Sequence, residues 1–368
     1  MPAELYLRKY CLTPAVAQVR IGLIVTAAQL RFTGLLRRVL LTTWVLVCSA
    51  FPGLGHGQLI SPLSVTNSSP IALIQGIPAM NQSTILPPNE TMVRVDYSVA
   101  SHYTLDNSST EQVLFDGETR RATLSIKKGI ARHWDVEILL PYVSHNGGGL
   151  DGFIDNWHEV FGLPQGGRNK VANNQLKYFY QKNGETRLDI TSASSGVGDA
   201  QLVFSRRLNS PALPQWEQIV FKSALKLPTG DADRLLGSGA PGLAVWLAAN
   251  SRTQWFGFEG SHYGSFGAVI MGKGDVLPGQ QRGFAVFGEL GSGARVSRYI
   301  VLQAQLNAHS SLYSGSEFVE INSMALQLTL GGNVEINRDW RVDVGVAEDL
   351  LVHASPDVIF HLGVNRRF

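Results

Sequence analysis

From residue 90 onward the chain alternates with a period of two. Across residues 299–310, Ile300, Leu302, Ala304, Leu306 and Ala308 share one face, and Gln303, Gln305, Asn307 and His309 share the other. Residues 322–330 set Met324, Leu326, Leu328 and Leu330 against Ser323, Ala325, Gln327 and Thr329. Trp340, Val342, Val344 and Val346 alternate with Arg341, Asp343 and Gly345; Trp134, Val136, Ile138, Leu140 and Tyr142 alternate with Asp135 and Glu137. Ile219, Phe221, Leu225 and Leu227 alternate with Lys222 and Lys226. Such alternation specifies strands with one dry face and one wet face. The runs approach the roughly 9–11 residues that a membrane-crossing strand needs. A soluble sandwich gives the same local pattern, so other features must decide.

The aromatic residues separate the two. Short turns are expected near residues 129–133, 209–215, 251–254, 294–298 and 337–339, and the next strands open with Trp134, Trp216, Trp255, Tyr299 and Trp340. Aromatics along one edge of a sheet form an interfacial girdle, because amphipathic rings settle at the lipid headgroups. Connections at the other edge are longer: residues 106–116, 146–196, 229–242, 267–281, 314–318 and 353–356. That asymmetry belongs to outer-membrane barrels. The predicted fold is therefore all-β, a transmembrane antiparallel β-barrel. It has about twelve strands, with both ends on the short-turn side and residues 175–192 as an extramembrane hairpin; ten or fourteen strands are the alternatives. The last run, Phe360, Leu362 and Val364 against His361, Gly363 and Asn365, stops at Phe368. It resembles the C-terminal signal read by the barrel-assembly machinery, with Phe368 as the assembly residue and Arg366 as a departure.

Charge and cysteine usage agree with export. Residues 1–57 hold six of the 31 basic residues and one of the 29 acidic ones, which leaves 25 against 28, a net −3. That balance argues against nucleic-acid binding. Both cysteines, Cys11 and Cys48, lie in the same segment, so a chain cut after it has no disulfide framework. Arg37-Arg38, the apolar run 39–50 and the small residues of 51–57 form a secretory signal. The division is a leader and signal over 1–57, cleaved near 50–57; a periplasmic or plug segment over 58–89; and the barrel over 90–368. The expected location is the outer membrane of a Gram-negative bacterium, in contact with its lipid.

The alternation assigns Arg94, Asp96, Arg121, Lys127, Asp135, Glu137, Lys222, Lys226, Glu289, Arg341 and Asp343 to the lumen wall. Their mixed signs predict a hydrated lumen, partly self-paired and weakly ion-selective. In the loop after residue 146, Phe153, Trp157, Val160 and Phe161 fall on one face of a short helix, and Asp151, Asp155, His158 and Glu159 on the opposite face. An amphipathic helix docked on the rim or in the mouth explains this better than a metal or catalytic cluster. Lys226-Leu-Pro-Thr-Gly-Asp231 reads as a strand-closing turn and lacks the Gly-Lys-Ser/Thr of a phosphate loop. Gly196-Val-Gly-Asp199 reads as the start of a strand. His102, His145 and His262 beside Ser101, Ser144 and Ser261 are placed near the outer rim, a weak lead toward a lipid hydrolase.

Asp116-Gly-Glu-Thr119, Leu140-Pro-Tyr-Val-Ser-His145, Leu150-Asp-Gly-Phe-Ile-Asp-Asn-Trp-His158, Phe161-Gly-Leu-Pro164 and Leu225-Lys-Leu-Pro-Thr-Gly-Asp231 resemble a proteobacterial family known as domain of unknown function 3187. The likeness covers roughly residues 69–368 and implies an outer-membrane barrel without implying an activity, ligand or cofactor. The expected role is a narrow passive channel or small-molecule-binding barrel. The alternatives are a rim-located lipid esterase and a structural or assembly barrel. No catalytic, cofactor or metal residues are assigned.

Overall fold

The computed structural model describes residues 59–80, 84–150, 152, 174–208, 216–351 and 354–368. In chain order its strands are β1 (Thr91–Asn107), β2 (Glu111–Ala131), β3 (Trp134–Asn146), β4 (Lys177–Lys182), β5 (Glu185–Ile190), β6 (Ser194–Val197), β7 (Gln201–Leu208) and β8 (Gln218–Lys226). They continue as β9 (Gly242–Trp255), β10 (Phe258–Met271), β11 (Phe284–Arg295), β12 (Ile300–His309), β13 (Ala325–Glu335), β14 (Trp340–Asp349) and β15 (Val358–Arg367). Two single-turn helices, α1 (Pro70–Leu73) and α2 (Val319–Asn322), complete the described elements.

Twelve strands close into an antiparallel barrel in the order β1, β2, β3, β7 and then β8 through β15, with β15 pairing back onto β1. The seam runs from Met92 opposite Arg367 to Ser101 opposite Val358. At its foot Phe368 N–H donates to the Thr91 carbonyl at 2.8 Å and Thr91 N–H to the Phe368 carbonyl at 3.1 Å. Closure satisfies every ladder group without an edge, as a sheet in lipid requires. Burial is inverted relative to a soluble protein. Ile138, Leu140, Leu247 and Leu362 are exposed on the outside, whereas Arg94, Lys127, Asp135 and Asp343 are fully buried within.

The outer edge differs from expectation in the reach of β10, which runs on to Met271, into the connection expected at 267–281, and in the strands after β1. Residues 106–116 are not a loop, because β1 and β2 stay paired out to Asn107 opposite Gln112. The protruding part of β2 then pairs with β4, which pairs with β5, while β6 pairs with the end of β3. The predicted hairpin at 175–192 is thus stitched onto the barrel wall as a continuation of its sheet.

The seam between first and last strands is braced from inside. Arg94 Nη1 meets Asp343 Oδ2 at 2.7 Å, Arg94 Nη2 meets Asp96 Oδ1 at 2.6 Å, and Arg341 Nε meets Asp343 Oδ1 at 2.8 Å. The guanidinium reaches from β1 to β14 across Gly363 of β15. A Cβ on that glycine would stand 2.6 Å from Arg94 Nη2. Removing one member of a buried ion network strands the other's charge, at a cost of about 3–5 kcal/mol. Asp343→Ala should therefore lower the urea midpoint of the folded, heat-modifiable gel band well below that of Asp343→Asn, which keeps the side chain's size and its acceptor oxygen.

Candidate functional site in the barrel lumen

The lumen is occupied by the chain's own N-terminal segment. Ile60 N–H donates to Ser261 Oγ at 3.1 Å and the Ile60 carbonyl accepts from Asn250 Nδ2 at 2.7 Å. Gln303 Nε2 donates to the Ser61 carbonyl at 2.7 Å. Gln305 takes both backbone groups of Leu63, accepting from its N–H at 2.9 Å and donating to its carbonyl at 3.0 Å. Higher up, Asn67 Nδ2 lies 2.9 Å from His309 Nε2 and donates to the Ala354 carbonyl at 2.8 Å. Beyond α1, Gln75 Nε2 donates to the Tyr313 hydroxyl, which donates to the Ile71 carbonyl.

The segment turns at the outer end and comes back. Gly76 packs on the Lys226 side chain, so close that a Cβ would stand 2.7 Å from Lys226 Cδ. Met80 Sδ accepts from Ser265 Oγ at 2.5 Å. Lower down, Lys127 Nζ donates to the Thr84 carbonyl at 3.0 Å, and Leu86 N–H donates to Asp135 Oδ2 at 3.1 Å. Residues 58–89 contain no charged side chain, so their burial strands no charge. Wall amides supply the backbone partners that an irregular buried segment must find. Reading the sequence left this placement open. The signal that would have found it is the uncharged, apolar composition of 58–89 facing a wall rich in Gln and Asn.

The predicted wall residues project inward. Besides the seam network, Lys127 pairs with Asp135 at 3.0 Å, Glu137 accepts from Ser125 Oγ, and Lys222 Nζ lies 5.7 Å from the centre of the Trp246 ring. Arg121 reaches Thr66 at 3.5 Å. Glu289 Oε2 accepts from Asn307 Nδ2 at 2.9 Å. The described part of the lumen holds the N-terminal segment against these residues. Its outer half is apolar, built from Trp246, Phe287, Leu235, Leu277, Tyr313 and Phe318 among others. On the outside, Trp134, Tyr299 and Trp340 are exposed and Trp216 and Trp255 are half-buried. Arg366, the departure from the terminal pattern, lies 5.2 Å from the Trp340 ring and 4.3 Å from the Phe368 ring. The loop-helix face Asp151, Asp155, His158 and Glu159 lies outside the described residues.

Two networks fold the outer loops over the mouth. Lys226 Nζ meets Asp199 Oδ2 at 2.6 Å and donates to Ser238 Oγ, while Asp199 also accepts from Gly230 N–H at 3.0 Å and Ser238 N–H at 3.0 Å. The segment that read as a turn and the one that read as the start of a strand are halves of one lock. Glu111 is the second hub. It accepts from Lys182 Nζ at 2.7 Å, the Tyr180 hydroxyl at 2.8 Å, Ser316 Oγ at 2.6 Å and Glu317 N–H at 3.3 Å.

In the Ser–His pairs, neighbours in a strand project to opposite faces, which separates each serine from its histidine. His145 is buried with Nδ1 at 3.0 Å from Thr119 Oγ1 and Nε2 at 3.0 Å from the Leu235 carbonyl; His102 packs edge-on against Tyr178. The placement of His262 at the outer rim is incorrect. β10 begins at the short turn after Trp255, so His262 lies near the opposite end, exposed and edge-on to the Trp255 ring. Among the described residues no group of three His, Cys, Asp or Glu side chains could hold a metal ion.

The family model described as "Protein of unknown function (DUF3187)" matches residues 38–368. No curated protein matches the chain. The solved COG4313 outer membrane channel from Pseudomonas putida F1 aligns at TM-score 0.52 and 13% identity, covering 78% of this chain and 98% of that one. The toluene transporter TbuX from Ralstonia pickettii aligns at TM-score 0.36 and 11% identity, covering 88% and 97%. The first likeness shows the fold, that of Gram-negative outer-membrane barrels.

Glu111 lies in the protruding part of the sheet and makes the outer lock sensitive to acid. Burial works to raise its carboxyl, but the hydrogen bonds from Lys182, Ser316, Tyr180 and Glu317 N–H outweigh it and hold the group below the ordinary glutamate value. A lowered carboxyl contributes stability above its unfolded value and loses it as pH falls through the folded one. Limited proteolysis of the 310–323 loop should rise as pH drops below the ordinary glutamate range, about 4.3. Glu111→Gln should show the raised rate already at neutral pH.

Proposed function

The chain belongs to the DUF3187 family, and for it we propose a gated outer-membrane channel for small molecules, with residues 59–80 and 84–86 as an internal plug under a cover of folded loops. One observation carries this reading. The ion pairs join wall strands to one another, as in Arg94–Asp343 and Lys127–Asp135, or to an outer loop, as in Lys226–Asp199, whereas the plug is held largely by neutral groups such as Gln303, Gln305, Asn250 and Ser261. Withdrawing an uncharged plug therefore leaves few wall charges newly unpaired and uncovers a polar surface ready for water. The solved relative in fold is described as an outer membrane channel, which supports the same reading. The barrel lies in the outer membrane, takes lipid around its apolar belt, and is inserted by the barrel-assembly machinery through its Phe368 end. The His145 and His262 environments give the esterase alternative no support.

The test is a reversible clamp. The chain after residue 57 has no cysteine, so Met80→Cys with Ser265→Cys can form a disulfide between plug and β10. In planar bilayers the wild-type barrel should show intermittent conductance steps. The oxidised clamp should silence them and reductant should restore them. Steps that persist through oxidation would overturn the plug as gate.

A further inference from the structure

We propose that Glu289, Trp246, Tyr263 and Ser265 form a binding subsite inside the lumen for a primary ammonium group. The proposal deepens the channel reading and rests on it for the path by which a solute arrives. A small cavity, with room for about one water molecule, lies between the two limbs of the plug and the inner wall. Pro62 and Met80 close it from the plug side; Trp246, Tyr263, Ser265 and Glu289 line it from β9, β10 and β11.

Glu289 is what makes this cavity unusual. The residue is 2% exposed. Asn307 answers one carboxylate oxygen, but Oε1 has no hydrogen-bond partner. Among the described residues no salt bridge includes Glu289. Four other inward carboxylates are each answered by a cation: Asp96 and Asp343 by Arg94, Asp135 by Lys127, Asp199 by Lys226. A buried carboxylate left with a free oxygen is costly unless a positive group or a proton meets it.

The walls favour a cation of one shape. An ammonium head is about as large as a water molecule and carries three N–H donors. Glu289 Oε1 accepts one. Ser265 Oγ accepts another, since its own hydrogen already points at Met80 Sδ. The third faces the Trp246 and Tyr263 rings, which attract a cation through their electron-rich faces. A divalent metal would need several more oxygen ligands than the site supplies. The rest of the solute extends past Met80, the residue that moves when the plug loosens.

The experiment uses the folded barrel in detergent micelles with 13C-methyl methionine, the Met80 resonance being assigned from Met80→Leu. Methylammonium chloride is titrated against potassium chloride at equal ionic strength. The expected result is a saturable shift of the Met80 methyl with methylammonium and none with potassium. Glu289→Gln should weaken it at least tenfold, and Glu289→Asp less. If Glu289→Gln fails the heat-modifiable gel test for assembly, Ser265→Ala replaces it, with an expected loss of about threefold. No saturable shift, or an undiminished one in the assembled Glu289→Gln barrel, overturns the subsite. Conductance plays no part in this assay, so a barrel that conducts but does not bind keeps the channel reading and loses only this one.

Discussion

Every backbone N–H and C=O carried into a closed barrel must find a partner there, and an irregular segment brings no ladder of its own. The whole interior answers that constraint. Gln305 offers Leu63 the same donor–acceptor pair that a neighbouring strand would offer, and Gln303 and Asn250 donate to the Ser61 and Ile60 carbonyls. Amide side chains suit this task because each both donates and accepts without bringing charge. The wall of β9 and β12 is polar where the ascending limb runs, and apolar in the outer half where Ile71, Ile74 and the loop residues Leu277, Leu312 and Phe318 pack together.

Charge is handled separately. The strongly ionic groups sit in compact networks, and these do structural work at places where the sheet would otherwise be weakest. Arg94, Asp96, Asp343 and Arg341 brace the seam where the two ends of the chain meet, with Gly363 leaving room for the guanidinium to cross. Asp199 and Lys226 fasten the loop after β8 over the mouth, and Glu111 fastens the loop before β13 to the β4 hairpin. With the ionic terms mostly satisfied between strands and loops, the interior segment is held by many individually modest contacts. A net hydrogen bond contributes about 1 kcal/mol, which is the scale needed for an element that moves without the barrel unfolding.

The barrel was legible because period-two alternation is set residue by residue. Ile138 and Leu140 outside, with Asp135 and Glu137 inside, follow directly from the pleat. Turn chemistry marked most of the short-turn edge, but residues 251–254 are part of β9, Trp255 closes that strand instead of opening the next, and the turn is Phe256–Gly257. What stayed hidden depended on contacts distant in sequence. Asp199 and Lys226 are 27 residues apart, and each half reads as an ordinary turn or strand start on its own. Residues 106–116 look like a loop because Asp106, Asn107 and Ser108 are turn-formers, yet pairing with β4 keeps the strand going. The 58–89 segment has no period to read; only its lack of charge marks it. His262 falls near the short-turn end because β9 continues to Trp255 and β10 starts only at Phe258, boundaries that local turn chemistry does not mark.

The central claim is that residues 59–80 and 84–86 lie inside the folded barrel and leave it by a motion smaller than unfolding. Hydrogen exchange at the Ile60 and Leu63 amides, which donate to Ser261 and Gln305, measures this most directly. The account predicts protection far above that of a free chain, with an opening free energy clearly below that of the β12 and β13 ladder amides. Exchange at free-chain rates would place the segment outside the lumen, and exchange only together with the ladder amides would make it a fixed core; either result would contradict the account.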